Sequence, residues 1–254
     1  MKNEQGEIFR LTIYTSQHLS NQTVVKQLHD LLRADPARAV RFDSVENAKK
    51  SFNAQFSVAA PRIYDDTGTV MVIGEGNNFV AGFHRITSKL SVWNIFLKDF
   101  NANETKWLEW ILKVCDVLPL FFASGCSSQE FDAKHLLVRA TPQGGRVKSW
   151  QGVANDQLGQ MLPGFYWLSI FGSDIASALK LSALNGRADI KERVLSAGQL
   201  AVWLNEPVVP INLDRRLQTE SKLVSVIGPE YFFDKEAPEK KVQPIKSLVG
   251  KLAE

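Results

Sequence analysis

Residues 69–97 read TVMVIGEGNNFVAGFHRITSKLSVWNIFL. Three apolar-rich segments, Thr69 to Ile73, Phe79 to Ile86 and Leu90 to Leu97, are separated by Gly74-Glu75-Gly76-Asn77-Asn78 and by Thr87-Ser88-Lys89. Glycine and asparagine supply the positive φ that a tight hairpin turn needs, and neither break is long enough for a parallel crossover. The stretch therefore predicts an antiparallel meander. On the same reading the period of two extends back to Phe56, with a further turn at Asp65-Asp66-Thr67-Gly68.

Toward the N-terminus, Phe9, Leu11 and Ile13 alternate with Arg10 and Thr12 inside Ile8 to Tyr14, the pattern of a half-buried strand. Val24, Val25, Leu28, Leu31 and Leu32 recur at helical spacing behind Ser20 and Asn21, and Pro36 ends the run. Asp43 with Glu46 three residues on predicts an acidic capping box and a second short helix. Toward the C-terminus, Asn103 precedes the stripe Trp107, Trp110, Ile111, Val114, Val117 and Leu118, which Pro119 closes as a helix. Leu120 to Ala123 reads as a short strand, and Ser127 with Glu130 as a capping box ahead of Phe131 to Leu137. Phe165 to Phe171 and Arg193 to Glu206, broken at Ala197-Gly198, are further strands and a hairpin. A last helix runs from Asn212 through Leu213, Leu217, Val224 and Ile227 to Gly228-Pro229.

Hairpin-linked strands separated by single long helices predict an α+β fold, an antiparallel sheet with helices packed on one face, rather than a doubly wound α/β fold. A single domain is expected over residues 1–234. Residues 235–254, with Lys235-Glu236-Ala237-Pro238-Glu239-Lys240-Lys241, are expected to form a charged, loosely held tail.

The composition, 44% hydrophobic and 22% charged, is that of a globular protein with a sizeable core. A net charge of +3, from 30 basic and 27 acidic residues, is too near balance for a nucleic-acid-binding face or for an acidic decoy of DNA. Cys115 and Cys126 are too few to staple a chain of this size, which points to reduced thiols. Met1 to Glu7 lacks the basic flank and apolar run of a signal peptide. No apolar stretch approaches the ~20 residues of a membrane span. A cytoplasmic protein without a membrane or direct nucleic-acid partner is the expectation.

Reactive constellations are sparse. His18, His29, His84 and His135 form no metal-ligand spacing, and no metal or cofactor is expected. His29 reads as a solvated helix residue, and His84 as part of a sheet face without a matched carboxylate. Phe122-Ala123-Ser124-Gly125-Cys126 lacks the leading glycine of a nucleophile elbow. Cys126, just ahead of the Ser127 cap, is the best-placed thiol, and a buried cysteine is its simpler reading. An enzyme, if this were one, would turn on His84 or Cys126. Gly74 to Asn78 lacks the third glycine and the following helix of a phosphate-binding loop. Asp65, Asp66, Glu130, Asp132 and Asp214 could ligate a metal if gathered, yet turn and cap chemistry explains each alone. Of the six tryptophans, Trp93, Trp107, Trp110, Trp167 and Trp203 sit in apolar-periodic segments. Trp150 stands in the polar stretch Gly144 to Gly152, where an aromatic ring suits a partner contact.

The stretch Leu162-Pro163-Gly164-Phe165-Tyr166-Trp167-Leu168-Ser169-Ile170-Phe171-Gly172 resembles a signature of the immunity proteins that accompany type VI and other polymorphic toxins. The order around it, from the helix at Trp107 to Leu118 through Asp174 to Leu179 and the hairpin ending Leu204-Asn205-Glu206-Pro207, is similar to that of the immunity protein 52 family. Pro163, Gly164, Tyr166, Trp167 and Gly172 read as structural members of the signature, a turn before a buried strand and its end. The resemblance implies a non-enzymatic antitoxin whose partner is a cognate toxin, often a nuclease encoded by an adjacent gene. Asp65, Asp66, Glu130 and Asp132 are then expected to face a basic substrate cleft on the toxin.

Overall fold

The computed structural model of the chain describes residues 7–44, 49–53, 55–141, 144–153, 157, 158, 160–209, 211–235, 237, 244 and 245. The opening segment forms β1 (Phe9–Thr15), with Phe9, Leu11 and Ile13 buried. Helix α1 (Gln22–Arg33) begins at Asn21, whose side chain accepts from the Thr23 and Val24 amides, and buries Val24, Val25, Leu28 and Leu32. The meander forms as β4 (Thr69–Gly74), β5 (Phe79–Arg85) and β6 (Ser91–Leu97), with positive φ at Gly76 and Asn77 in the first turn. Helix α3 (Glu104–Asp116) follows the expected stripe, although the Asn103 side chain makes no capping bond.

Three sequence expectations are corrected. Asp43 does not open a helix. It ends β2 (Ala39–Asp43), and its carboxylate accepts from the Ser44 amide and Lys50; residues 45–48 lie outside the described residues. Strand β3 (Lys50–Ser51) pairs with β2 at the sheet edge. The region from Phe56 is not strand but helix α2 (Phe56–Thr67), in which Phe56, Ala60 and Tyr64 recur at a spacing of four and are buried. Asp65-Asp66-Thr67-Gly68 is therefore a helix end. Gly68 adopts φ 73°, and its amide donates to the Tyr64 carbonyl as a left-handed C-cap. The strand expected at Leu120 to Ala123 runs on through the small residues as β7 (Leu120–Ser127).

The second half adds α4 (Ser128–His135), β8 (Leu136–Ala140), β9 (Arg146–Trp150), β10 (Leu168–Phe171), α5 (Ser173–Ala178), β11 (Ile190–Val194), β12 (Leu200–Leu204) and α6 (Leu213–Ile227). Ten strands form one sheet in the order β11-β12-β10-β7-β1-β6-β5-β4-β2-β3, every neighbouring pair antiparallel. The α+β class with a large antiparallel sheet is thus as expected. Strands β8 and β9 stand apart as a two-stranded hairpin.

The first strand lies at the centre, so its alternation defines both faces. Phe9, Leu11 and Ile13 register with Leu97, Ile95 and Trp93 and point into the main core. Helices α1, α2 and α3 cover that face: Trp107 stacks on Phe79, and the Trp110 indole donates to the Leu31 carbonyl at 2.8 Å. Each such aromatic contributes roughly 1.5–3 kcal/mol by burial. Arg10, Thr12 and Tyr14 point the other way, and there α4 departs from the expected one-sided layer: its Phe131 ring lies 4.7 Å below the Arg10 guanidinium. Beyond Asp234, the described tail residues are Lys235, which donates to Ala133 O, Ala237, whose amide donates to Asp234 O, exposed Pro244 and buried Ile245; the rest of that expected loose tail lies outside the described residues.

Gly172 shows why the signature ends in glycine. Its amide donates to Phe121 O at 2.8 Å, and a Cβ would collide with Leu120 O while meeting Phe121 O at 2.9 Å. The clashing atoms are backbone in a central strand and cannot swing aside. Gly172→Ala should lower unfolding free energy by about 1–3 kcal/mol, the usual range for overpacking, as measured by urea denaturation; a change below about 0.5 kcal/mol would show that β7 and β10 do not approach this closely.

Candidate functional site

Ser127 caps α4 as its sequence implies, its Oγ accepting from the Glu130 amide at 3.2 Å. The Glu130 carboxylate does not close the box. It is 0% exposed and lies at the centre of an ionic cluster. Its Oε1 accepts from the Trp167 amide at 3.0 Å and sits 3.1 Å from Lys134 Nζ, while Oε2 takes Arg216 Nη1 at 2.5 Å. Arg216, equally buried, donates from Nε to Glu206 at 2.7 Å and from Nη2 to Pro207 O at 2.9 Å. Lys134 reaches Glu220 at 3.0 Å and also donates to Phe165 O. Burial pulls the Lys134 ammonium down, but Glu220 and Glu130 more than offset it and leave its pKa above the ordinary lysine value. Burial likewise holds the Glu220 carboxyl above its usual range despite Lys134. Helices α4 and α6 are thereby bound to each other and to the Pro163–Trp167 turn.

The next side chain along α4 prepares the outer surface. His135 bonds Gln151 O through Nδ1 at 2.8 Å and the Tyr166 hydroxyl through Nε2 at 2.9 Å, with its ring parallel to that of Tyr166. Phe131 meets Trp150 at 5.8 Å. These contacts anchor the foot of the β8–β9 hairpin, which registers Leu136 with Trp150, Val138 with Lys148 and Ala140 with Arg146. Trp150 at the foot is nonetheless 57% exposed, and Val138 and Val147 above it are 47% and 54% exposed. Arg146 and Lys148 are exposed too, and make no ion pair among the described residues. An open recess of about 450 Å³ lies at the base, lined by Arg10, Phe131, His135, Trp150 and Gln151 to Val153. It adjoins a second hollow on the uncovered sheet face, lined by Thr12, Tyr14, His84, Asn94 and Tyr166 among others.

The acidic residues expected at a toxin interface are not brought together. Asp65 and Asp66 are exposed in the last turn of α2, on the helical layer opposite α4, and Asp65 accepts from Ser20 Oγ at 2.5 Å. Asp132 is exposed on α4, whereas Glu130 is buried and fully engaged, so it has no free surface to offer. Trp150 is exposed. Among the described residues no three His, Cys, Asp or Glu side chains gather as a metal site. Cys126 and Cys115 are free and buried; burial first and the Glu130 carboxylate second push the Cys126 thiol well above its ordinary range, away from a reactive thiolate. His84 leans across Gly82 with Thr69 Oγ1 at 3.4 Å, and burial lowers its pKa. His29 is not solvated as expected but stacks on Phe52 at 5.3 Å.

The signature residues hold this arrangement together. Trp167 sets its edge against Phe9 and Phe100 and donates to Glu206 O, Tyr166 orients His135, and Pro163 with Gly164 lies beside Glu220. Sequence reasoning passed over Lys134, Arg216, Glu206 and Glu220. Only the spacing of four between Glu130 and Lys134, and between Arg216 and Glu220, could have hinted at them.

The whole fold is similar to that of the Pseudomonas aeruginosa T6SS protein PA0821, with a TM-score of 0.58 at 11% identity, covering 97% of this chain and 82% of that one. Two structures of the duplicated taurocyamine kinase from Schistosoma mansoni align with TM-scores of 0.28 at 9% identity and cover about a third of that chain, which is too loose a match to bear on this protein. No protein-family model matches the chain, so the narrower resemblance to immunity protein 52 gains nothing from that comparison. No curated protein matches it either. Among the described residues no helix is long and apolar enough to cross a membrane.

Glu130→Ala should cost about 3 kcal/mol in chemical denaturation, the lower end for breaking a buried pair, because Arg216 and Lys134 each retain one carboxylate. Asp132→Ala, two residues along the same helix and exposed, should change stability by less than about 0.5 kcal/mol. Equal effects would mean that the cluster holds nothing in place.

Burial, joined by the Lys134, Lys235 and Arg10 charges, lowers the His135 pKa below 6.5 even though Gln151 O opposes the shift. A histidine whose folded value is depressed stabilises the fold above its unfolded pKa and loses that contribution as pH falls through the folded value. Glu220 works in the opposite sense, so the histidine part is read as the difference between wild type and His135→Gln. That difference should narrow as pH falls from 7 toward 5 in thermal melts. A constant difference would show that His135 titrates alike in the folded and unfolded chains.

Proposed function

We propose that this chain is an immunity protein that binds a cognate secreted antibacterial toxin, most simply a nuclease acting in the cytoplasm, and neutralises it in a stoichiometric complex. The observation that carries the reading is the fold shared over 97% of the chain with a T6SS protein, taken with the resemblance of Leu162 to Gly172 to a toxin-immunity signature. The surface chemistry agrees with binding rather than turnover. An exposed tryptophan on one face with a valine and with cations that make no ion pair among the described residues is the composition of an interface anchor, whereas the groups that could support catalysis are badly placed for it. Cys126 is sealed in the core as a protonated thiol, and His84 has a threonine for its nearest side-chain partner in place of a carboxylate. A complex tight enough to protect a cell is expected to bury about 1,200–2,000 Å².

Co-expression with the toxin encoded by the neighbouring gene tests this. The proposal expects restored growth and a complex of the two proteins that survives size-exclusion chromatography. A His84→Ala, Cys126→Ala double variant should protect equally well. A toxin that stays free and lethal in the presence of the folded protein overturns the proposal, as does loss of protection in a double variant that still folds.

A further inference from the structure

We infer that the β8–β9 hairpin is the inhibitory arm of the protein, and that it docks through Trp150, Arg146 and Lys148 onto a carboxylate-rich surface of the toxin. The inference rests on the immunity reading and reverses the charge expected from sequence, in which acidic residues were to lead.

The hairpin is built as an arm and not as part of the core. A two-stranded hairpin on its own is marginal in water, and this one is separate from the ten-stranded sheet. It persists because its foot is fixed: Leu136 follows directly from α4, His135 ties to Gln151 O and the Tyr166 hydroxyl, and Trp150 rests against Phe131. Behind those contacts stands the Glu130 cluster. An element held firmly at one end and open along its length places its side chains for a partner at little entropic cost on binding.

Its register sorts the chemistry. Successive residues of a strand point to opposite faces, so the pairs Leu136 with Trp150, Val138 with Lys148 and Ala140 with Arg146 share one face. That face combines an exposed indole, an exposed valine and two cations that make no ion pair among the described residues, with Arg10 at the rim of the recess below Trp150. The segment 136–150 contains Arg139, Arg146 and Lys148 and no acidic residue. Asp132, exposed one turn earlier in α4, is the acidic group nearest in sequence.

Charge complementarity selects the occupant. A second copy would set one basic face against another, and like charges in juxtaposition are unfavourable. A nucleic acid calls for a broad basic face or stripe, and Arg146 and Lys148 with Arg10 at the rim make only a short patch on a chain of net charge +3. An acidic protein surface fits, and the carboxylate cluster that holds catalytic divalent ions in many nucleases is one.

The test uses the full chain and the purified, catalytically inactivated toxin encoded by the neighbouring gene, with affinity measured by calorimetry at 50 and 300 mM salt. Arg146→Glu with Lys148→Glu should weaken binding by about 100-fold at low salt and flatten its salt dependence, while Trp150→Ala should weaken it by about 30-fold, the scale of an interface anchor. Lys26→Glu with Arg62→Glu, the same charge change on exposed residues of α1 and α2, should stay within about threefold of wild type. The charge-reversed positions are exposed, so an unchanged melting temperature shows that the fold is intact. If wild type binds and the hairpin variants bind equally well, the arm is overturned and the immunity reading stands. If wild type does not bind, both fall. Hairpin-dependent binding of a 20-base-pair DNA duplex, or hairpin-dependent dimerisation in sedimentation, overturns the arm in favour of those occupants.

Discussion

The Glu130 carboxylate, out of contact with water, meets the Lys134 ammonium one turn along its own helix and, from two distant parts of the chain, a guanidinium and a backbone amide. Arg216 is 86 residues away and Trp167 is 37. Helix formation alone sets Lys134 beside Glu130, but no local propensity could bring Arg216 and Trp167 to them; the full cluster forms only when α4, α6 and the turn before β10 are all in place. Buried ion pairs add little net stability against a well-packed apolar alternative, because desolvation offsets much of the attraction. What this one supplies is position. It seats α4 on the face of β1 opposite the main helical layer, and the β8–β9 hairpin leaves from the end of that helix.

The two faces of the sheet consequently differ in kind. On the side of Phe9, Leu11 and Ile13 three amphipathic helices complete an ordinary apolar core. On the side of Arg10, Thr12 and Tyr14 the covering is partial: α4 and the hairpin foot shelter one part, and hollows lined by polar and aromatic groups remain beside it. The proposed recognition of another folded surface rests on this arrangement, a large sheet with the β8–β9 hairpin beside a half-open face. Burial holds the Cys126 thiol well above its ordinary pKa and lowers that of His84.

Periodicity made much of the fold readable. The alternation in β1, the stripes of α1 and α3, the meander from Thr69 to Leu97 and the Asn212 cap of α6 all form where the sequence places them. Misreadings have specific causes. Asp65-Asp66-Thr67-Gly68 has the residues of a hairpin turn, yet a glycine in the left-handed region serves equally as a helix C-cap, and Pro61 inside α2 masked the helical recurrence of Phe56, Ala60 and Tyr64. In β7, Ser124, Gly125 and Cys126 look like a loop, but small residues are what the sheet centre accepts there, since the Phe9 ring lies directly against Gly125. The site was harder still. Glu130 carries the same capping signal whether its side chain turns outward or into the core, and the partners that decide the matter lie far along the chain. Trp150 was recognisable as an aromatic ring out of place in a polar stretch; the hairpin that presents it was not.

Stoichiometry is the property that separates recognition from turnover most directly. Titrating purified protein into a fixed amount of active toxin and following residual toxin activity should give a line that reaches zero at one equivalent and does not move with longer incubation. Complete inactivation at a small fraction of an equivalent, deepening with time, would mean that the protein consumes or repairs something catalytically, and would contradict the account.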